Sequence, residues 1–258
     1  MEDKPSLEDT LSLMRDLRAR CDWDAAQTHE SLRPYLIEEA FEVDDAIRGG
    51  NDQLLREELG DLLLQILFHS VIAEERGAFS MHDVARGFIT KMKARHPHLY
   101  EGGEKQSWER MKAKKRTSIV DGLPADLPAL HRSFRLQDRA AGVGFDWPDI
   151  DGPIAKVEEE LREVRDELDV AESEGSRAGT GATNDRLEEE IGDLLFAVVN
   201  LSRKAGVHPA LALDKANVKF ATRFGAVERM AGERGLEVGQ ATLAQLDALW
   251  DEAKLRES

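Results

Sequence analysis

The chain has 258 residues, enough for one large domain or two modest ones, each with its own core. Its 51 acidic residues outnumber 35 basic ones, a formal net charge of −16. That excess argues against nonspecific binding to a nucleic-acid backbone or an anionic membrane, both of which need basic surface. Cys21 is the only cysteine, so no intrachain disulfide can form. The opening "MEDKPSLEDT" lacks the apolar core of a signal peptide. The longest apolar run, "LLLQILFHSVIA", holds Gln65 and His69 and is too short to span a bilayer. A cytoplasmic location is expected.

Ala, Leu, Glu and Arg dominate, while Val/Ile/Thr alternation is absent, so the expected fold class is all-α. In chain order the pattern predicts helices near 6–20, 29–48, 51–76, 80–95, 107–116, 128–141, 151–174, 184–205, 208–234 and 242–256. "DGLPADLPAL", with two prolines and a glycine, reads as a linker. "ESEGSRAGTGATND" is Gly/Ser/Thr-rich and reads as a loop.

The pattern occurs twice. "IEEAFEV" then "EELGDLLLQILF" in the first half matches "EEELREV" then "EEEIGDLLFAVV" in the second. "KMKAR" matches "KFATR", "WERMK" matches "WDEAK", and "CDWD" echoes "FDWP". Five blocks recurring in order mark a tandem repeat. The expected organisation is a first helical repeat over 1–118, a linker over 119–130 and a second repeat over 131–258. The segment between the two acidic blocks is eleven residues longer in the second repeat.

Helix geometry makes the acidic blocks unusual. With Glu190 as zero, Asp193 falls at about 300°, Ala197 at about 340° and Asn200 at about 280°, with Leu194 and Leu201 just to one side. Two carboxylates thus share a stripe hemmed in by apolar residues. Glu58 and Asp61 repeat the arrangement. A carboxylate is costly to bury without a partner, and the preceding helix supplies more acid: Glu39 and Glu42 in the first repeat, Glu160 and Glu163 in the second. If each helix pair packs antiparallel, four carboxylates converge and repel unless a cation sits between them. Hard oxygen donors suit Mg²⁺ or Mn²⁺. No His recurs at the ExxH spacing of di-iron bundles. A lone ExxE is ordinarily a solvated face; the same pairing twice, in order, is harder to explain that way.

Basic and aromatic residues complete the pattern. Lys219 and Arg223 lie four apart on one helix face, as do Lys91 and Arg95, suited to phosphate oxygens. Trp250 with Lys254, and Trp108 with Lys112, set an aromatic face beside a cation, an arrangement that can stack a base and touch a phosphate. Lys156 and Arg186 each stand four residues before an acid of the second quartet. No Walker loop or Ser–His arrangement competes. Such a site suits metal-assisted attack of water on a phosphoanhydride.

These blocks, with "CDWDAAQTHESLRPYLIEEAFEV", "RHPHLY", "VGFDW" and "LEEEIGDLLFAVVNL", resemble the MazG family of tandem-repeat nucleoside triphosphate pyrophosphohydrolases, within the all-α NTP pyrophosphatase superfamily. The resemblance covers nearly the whole chain. It implies helical bundles assembled as a homodimer, Mg²⁺ dependence, and cleavage of a nucleoside triphosphate between the α and β phosphates to NMP and pyrophosphate, for house-cleaning of the nucleotide pool or stress-related nucleotide control. It implies metal ligation by Glu160, Glu163, Glu190 and Asp193, and nucleotide contacts from Lys156, Glu159, Arg186, Glu189, Lys219, Arg223 and Trp250, with Lys254 beside them. In the first repeat Glu39, Glu42, Glu58 and Asp61 match the motif, as do Lys91, Arg95, Trp108 and Lys112. One departure is visible: the family's usual Cys-Pro-Trp-Asp is Cys21-Asp22-Trp23-Asp24 here. The contrasting reading is a non-catalytic helical protein that binds or senses nucleotides and releases them unchanged.

Overall fold

The computed structural model describes residues 4–100, 102, 117–173 and 185–256, with side chains omitted for 171–173. All regular structure among them is helical. The chain divides into two compact units, Met1–Lys105 and Gln106–Ser258.

The first unit holds α1 (Leu7–Arg20), α2 (Asp22–Ala26), α3 (Arg33–Gly49), α4 (Asp52–Glu75), α5 (Met81–Arg95) and α6 (Pro97–Tyr100). Ser6 starts α1 through a reciprocal box: its hydroxyl accepts from the Asp9 amide at 3.2 Å, and the Asp9 carboxylate accepts from the Ser6 amide at 2.7 Å. Leu11 and Met14 of α1 then pack with Leu32 against Leu67, Phe68, Val71 and Ile72 of α4. Arg15 forks onto Glu74 at 2.9 and 3.1 Å, and Arg18 reaches Glu75. Arg18 also donates to the carbonyls of Asp24, Ala25 and Gln27, which ties α2 to α1. Gly50, at φ 62°, ends α3 and Asn51 caps α4, so two residues reverse the chain and lay α3 along α4. The buried stretch of α4 begins at Gln65; its first three turns lie outside the core.

Three helices among the described residues depart from the sequence expectation. Helix α3 begins at Arg33 and not near 29, because Thr28 and Ser31 bond each other's amides in a turn and Pro34 then sets the first helical residues. The short α2 and α6 are each about one turn, too short for a periodic pattern to reveal. The helix expected at 107–116 lies outside the described residues, as does most of the Gly-rich loop.

The second unit holds α7 (Ala129–Gly142), α8 (Asp151–Ser173), α9 (Asp185–Lys204), α10 (Pro209–Glu233) and α11 (Leu243–Arg256). Helix α9 packs on α8 and α7; α10 packs on α11 and α7 and meets α9 only lightly. Val227, Met230, Ala231, Leu249 and Ala253 form the α10–α11 core. Buried Arg139 of α7 donates to the carbonyls of Ile119 at 2.6 Å and Asp121 at 3.0 Å, holding part of the stretch expected as a linker. Asp146 bonds Arg203 and Lys204, fastening the 143–150 loop to the last turn of α9. No helix among the described residues is long and apolar enough to cross a membrane.

Candidate functional site

Helices α8 and α9 bring the second acidic quartet together. Carboxylate oxygens of Glu160, Glu190 and Asp193 lie within 4.8 Å of one another, as do those of Glu159, Glu160 and Glu163. Glu160 joins the two groups and is 4 % exposed. Its Oε1 takes the Lys156 ammonium at 2.6 Å, while its Oε2 is buried with no hydrogen-bond partner among the described residues. Lys156 also donates to Glu159 at 2.7 Å. Those bonds, Glu159 first and then Glu160, raise the lysine above its ordinary range, so it stays cationic. The same contact with Lys156 lowers Glu159.

Like charge and burial act on the other acids. Contact with the Glu160 carboxyl, followed by burial, holds Glu163 above the usual carboxylate range. Burial first, then Glu160 and Asp193, does the same to Glu190. Glu167, one turn beyond Glu163, also raises Glu190; the sequence reading missed it, although its i+4 spacing from Glu163 placed it on the same face.

The first unit repeats the cluster in simpler form. Oxygens of Glu39, Glu58 and Asp61 lie within 4.8 Å of one another. Burial, then Asp61, then Glu42 raise Glu39; burial, then Glu42, then Asp61 raise Glu58. Aligning the two sets of acidic motifs places Tyr35 where the second has Lys156, and Leu54 where it has Arg186. The first cluster therefore lacks the lysine that neutralises part of the second.

A divalent cation fits these donors. All are hard oxygens, and a buried carboxylate oxygen left without a partner is an atom that a cation would satisfy.

Four of the basic and aromatic candidates, Lys219, Arg223, Trp250 and Lys254, gather on α10 and α11. The Arg223 guanidinium carbon lies 6.0 Å from the Trp250 ring centroid, and Phe220 tilts against the same indole at 5.3 Å. Lys254 bonds Asp251 at 2.8 Å, and Lys219 is exposed. All belong to the α10–α11 pair, whose α10 packs on α7 and meets α9, the helix of Glu190 and Asp193. Arg186 and Glu189 are exposed near the start of α9. Lys91 and Arg95 share α5, which packs on α4 and α6. Trp108 and Lys112 lie outside the described residues.

The Cys21–Asp24 departure has a local explanation. Asp22 is the first residue of α2, a position that favours proline or an acid alike. Trp23 still reaches the core, edge-on to Phe68 at 6.3 Å.

Comparison with known proteins agrees with this geometry. The MazG nucleotide pyrophosphohydrolase domain matches residues 27–100. A Thermotoga maritima protein named nucleoside triphosphate pyrophosphohydrolase/pyrophosphatase MazG is 43 % identical over 256 residues, covering 96 % of this chain and 95 % of its own. The Escherichia coli K12 nucleoside triphosphate pyrophosphohydrolase is 39 % identical over 256 residues, covering 95 % of this chain and 94 % of its own. Bacillus subtilis YabN, an uncharacterized protein, is 40 % identical over 256 residues, which cover 94 % of this chain but 50 % of YabN. Identity of this level across almost the whole length, with the acidic clusters in place, assigns the chain to the MazG family of nucleotide pyrophosphohydrolases.

Proposed function

We propose that this chain is a nucleoside triphosphate pyrophosphohydrolase that cleaves its substrate between the α and β phosphates, giving NMP and pyrophosphate. The observation that carries the reading is Glu160: a buried carboxylate with one oxygen on Lys156 and the other unpartnered, among Glu163, Glu190 and Asp193. The named activities of the Thermotoga and Escherichia relatives support it.

In this proposal Glu160, Glu163, Glu190 and Asp193 hold Mg²⁺, or Mn²⁺ in its place. When bound, the cation polarises the phosphoryl group and offsets charge on the leaving pyrophosphate. The protein's own residues do the rest. Glu160 is fixed from behind by Lys156, so its free oxygen keeps one direction. The carboxylates orient water toward the α-phosphorus and one of them takes its proton; the water oxygen bonds there as the bond to the bridging oxygen breaks and pyrophosphate leaves. Lys156 and Glu159 on α8, with Arg186 and Glu189 on α9, are further proposed nucleotide contacts.

Lys219, Arg223, Trp250 and Lys254 are proposed nucleotide contacts, on a helix pair whose α10 meets the acid-bearing α9, in a protein that assembles as a homodimer. Exposed apolar side chains on the acid-bearing helices, among them Phe41, Leu59, Ile191 and Leu195, support burial against a second copy. The first cluster, with Lys91 and Arg95, is a second candidate site. The two units stand as tandem repeats of one domain, in a cytoplasmic enzyme.

The test is to incubate the protein with each NTP and Mg²⁺ and follow products by ³¹P NMR. NMP plus pyrophosphate, abolished by EDTA, is expected. NDP plus phosphate would mean the wrong bond; binding without turnover would favour a nucleotide sensor.

A further inference from the structure

A cleft of about 690 Å³ opens in the second unit, lined by α7, the 143–150 loop and α9. None of Glu160, Glu163, Glu190 and Asp193 lines it, and neither do α10 and α11. With the acidic cluster it shares only α9, where Phe196 and Asn200 come after Asp193. We infer that this cleft is a second small-molecule site, separate from the nucleotide's. Its ligand is an uncharged, flat heteroaromatic ring carrying an N–H donor and a C=O acceptor side by side, the edge of a lactam. The inference goes beyond the hydrolase reading and does not depend on it.

The walls call for a flat apolar body. Leu136, Phe145, Trp147 and Phe196 make them mostly apolar, with a few polar groups between, which is the make-up of a small-molecule site. Trp147 is held in place: a Cβ on Gly152 would fall 2.4 Å from its indole, so only glycine there lets the ring lie on the backbone of α8. Phe145 is 84 % exposed at the rim, an uncommon place for so large an apolar ring unless something covers it. A fixed indole and an open phenyl ring are faces on which a planar ring stacks.

Charge sets this ligand apart from a nucleotide. The charged side chains of the lining are Asp146 and Arg203, and they bond each other. Lys204 also holds Asp146, and Arg203 turns its Nε and one terminal nitrogen onto Asn200. The lining thus offers a phosphate no spare cation, and an amine no spare acid. An uncharged molecule enters without breaking these pairs.

Hydrogen bonding sets the edge. Gln137 is 7 % exposed, and its Nε2 donates to the Phe196 carbonyl at 2.8 Å. That bond fixes the amide and leaves Oε1 buried with no partner among the described residues. A buried acceptor of this kind costs stability until something donates to it. Asn200 is the complement: its Oδ1 accepts from Arg203 at 2.9 and 3.2 Å, so its amide nitrogen is the end left to donate. An acceptor and a donor in one cleft match the adjacent N–H and C=O of a lactam.

The probe is 2-quinolinone, an uncharged bicyclic lactam, set against 1-methyl-2-quinolinone, which lacks the N–H. Affinities are measured by calorimetry and ligand-observed NMR. We expect 2-quinolinone to bind a single site per chain and the methylated compound to bind about tenfold more weakly, in line with one lost hydrogen bond to a buried acceptor. Gln137→Leu should erase the difference between the two, Phe145→Ala should weaken both, and Lys219→Ala, at an exposed position on α10, should change neither. Circular dichroism checks each fold; if Gln137→Leu unfolds, the methylated compound and Phe145→Ala still decide. No binding of 2-quinolinone, equal affinity for the two lactams, or weakening by Lys219→Ala in place of Phe145→Ala overturns the inference. NTP turnover is not a readout here, so its absence would sink the hydrolase reading and leave the cleft standing.

Discussion

His29 and His69 stack with ring centroids 5.1 Å apart and interplanar angle 13°, their Nδ1 atoms 2.8 Å apart. One nitrogen must donate and the other accept, so the pair cannot carry two protons without losing that bond. Burial first, and His29 second, lower the pKa of His69. In the unfolded chain a histidine titrates near 6.5. Between the depressed folded value and about 6.5 the unfolded state binds more protons, so stability rises with pH there and is lost as pH falls. His208 follows the same sign in the second unit, through burial and then His131. We expect chemical denaturation to show lower stability at pH 5.5 than at pH 7.5, by at most about 1.4 kcal/mol per pH unit per proton. His69→Gln should flatten that slope; an unaltered slope would place the acid sensitivity elsewhere.

Asp193→Asn should abolish NTP hydrolysis while far-UV circular dichroism stays that of the wild type. Asp193 is exposed and outside both apolar cores, so the helix loses a ligand and not its packing. Retained turnover with unchanged Mg²⁺ dependence would remove it from the metal site.

Lys156→Met isolates the role of the ammonium beside Glu160. Without it, a buried carboxylate faces other acids alone. The lysine is itself 41 % exposed, which weakens the pair, so a cost on the order of 1 kcal/mol to the metal-free protein is expected. Mg²⁺ should then stabilise the variant more than the wild type, seen as a larger rise in Tm. Equal Tm shifts would show that lysine and cation do not act on the same oxygens.

The double change Glu39→Ala/Glu42→Ala asks whether the first cluster turns over substrate. It lacks counterparts of Lys156 and Arg186, having Tyr35 and Leu54 instead. We expect most NTP hydrolysis to survive, measured as pyrophosphate release per chain. Loss of half would show two working sites.

The carboxylate clusters were legible because helical spacing alone fixes which residues share a face: Glu190 and Asp193, or Glu58 and Asp61, need only a 3.6-residue period. The long helices followed from the same period. What escaped depends on other physics. The single turns α2 and α6 carry no period to read. The start of α3 is set by Thr28 and Ser31 bonding each other, a local competition that the Leu/Glu pattern hides. A cleft of the second unit was not legible because it joins Ile119, Gln137, Phe145 and Asn200, which lie far apart in sequence. "VGFDW" was noticed, but nothing in its spacing pointed to α7 or α9. Sequence grouped Lys219 and Trp250 with the acids by chemistry alone, because no spacing relates α10 and α11 to α8 and α9.

The buried stretch of α4 begins at Gln65, about one turn beyond Asp61 and two beyond Glu58. Anchorage and chemistry thus occupy different stretches of one helix. Replacing Glu58 or Asp61 removes no buried apolar contact, whereas Phe68→Ala would cost about 3–5 kcal/mol. A repeat built this way can lose its acids and still fold. Reactive acids held this way can change without a change of core, so the packing and the chemistry of the first unit are open to separate adjustment.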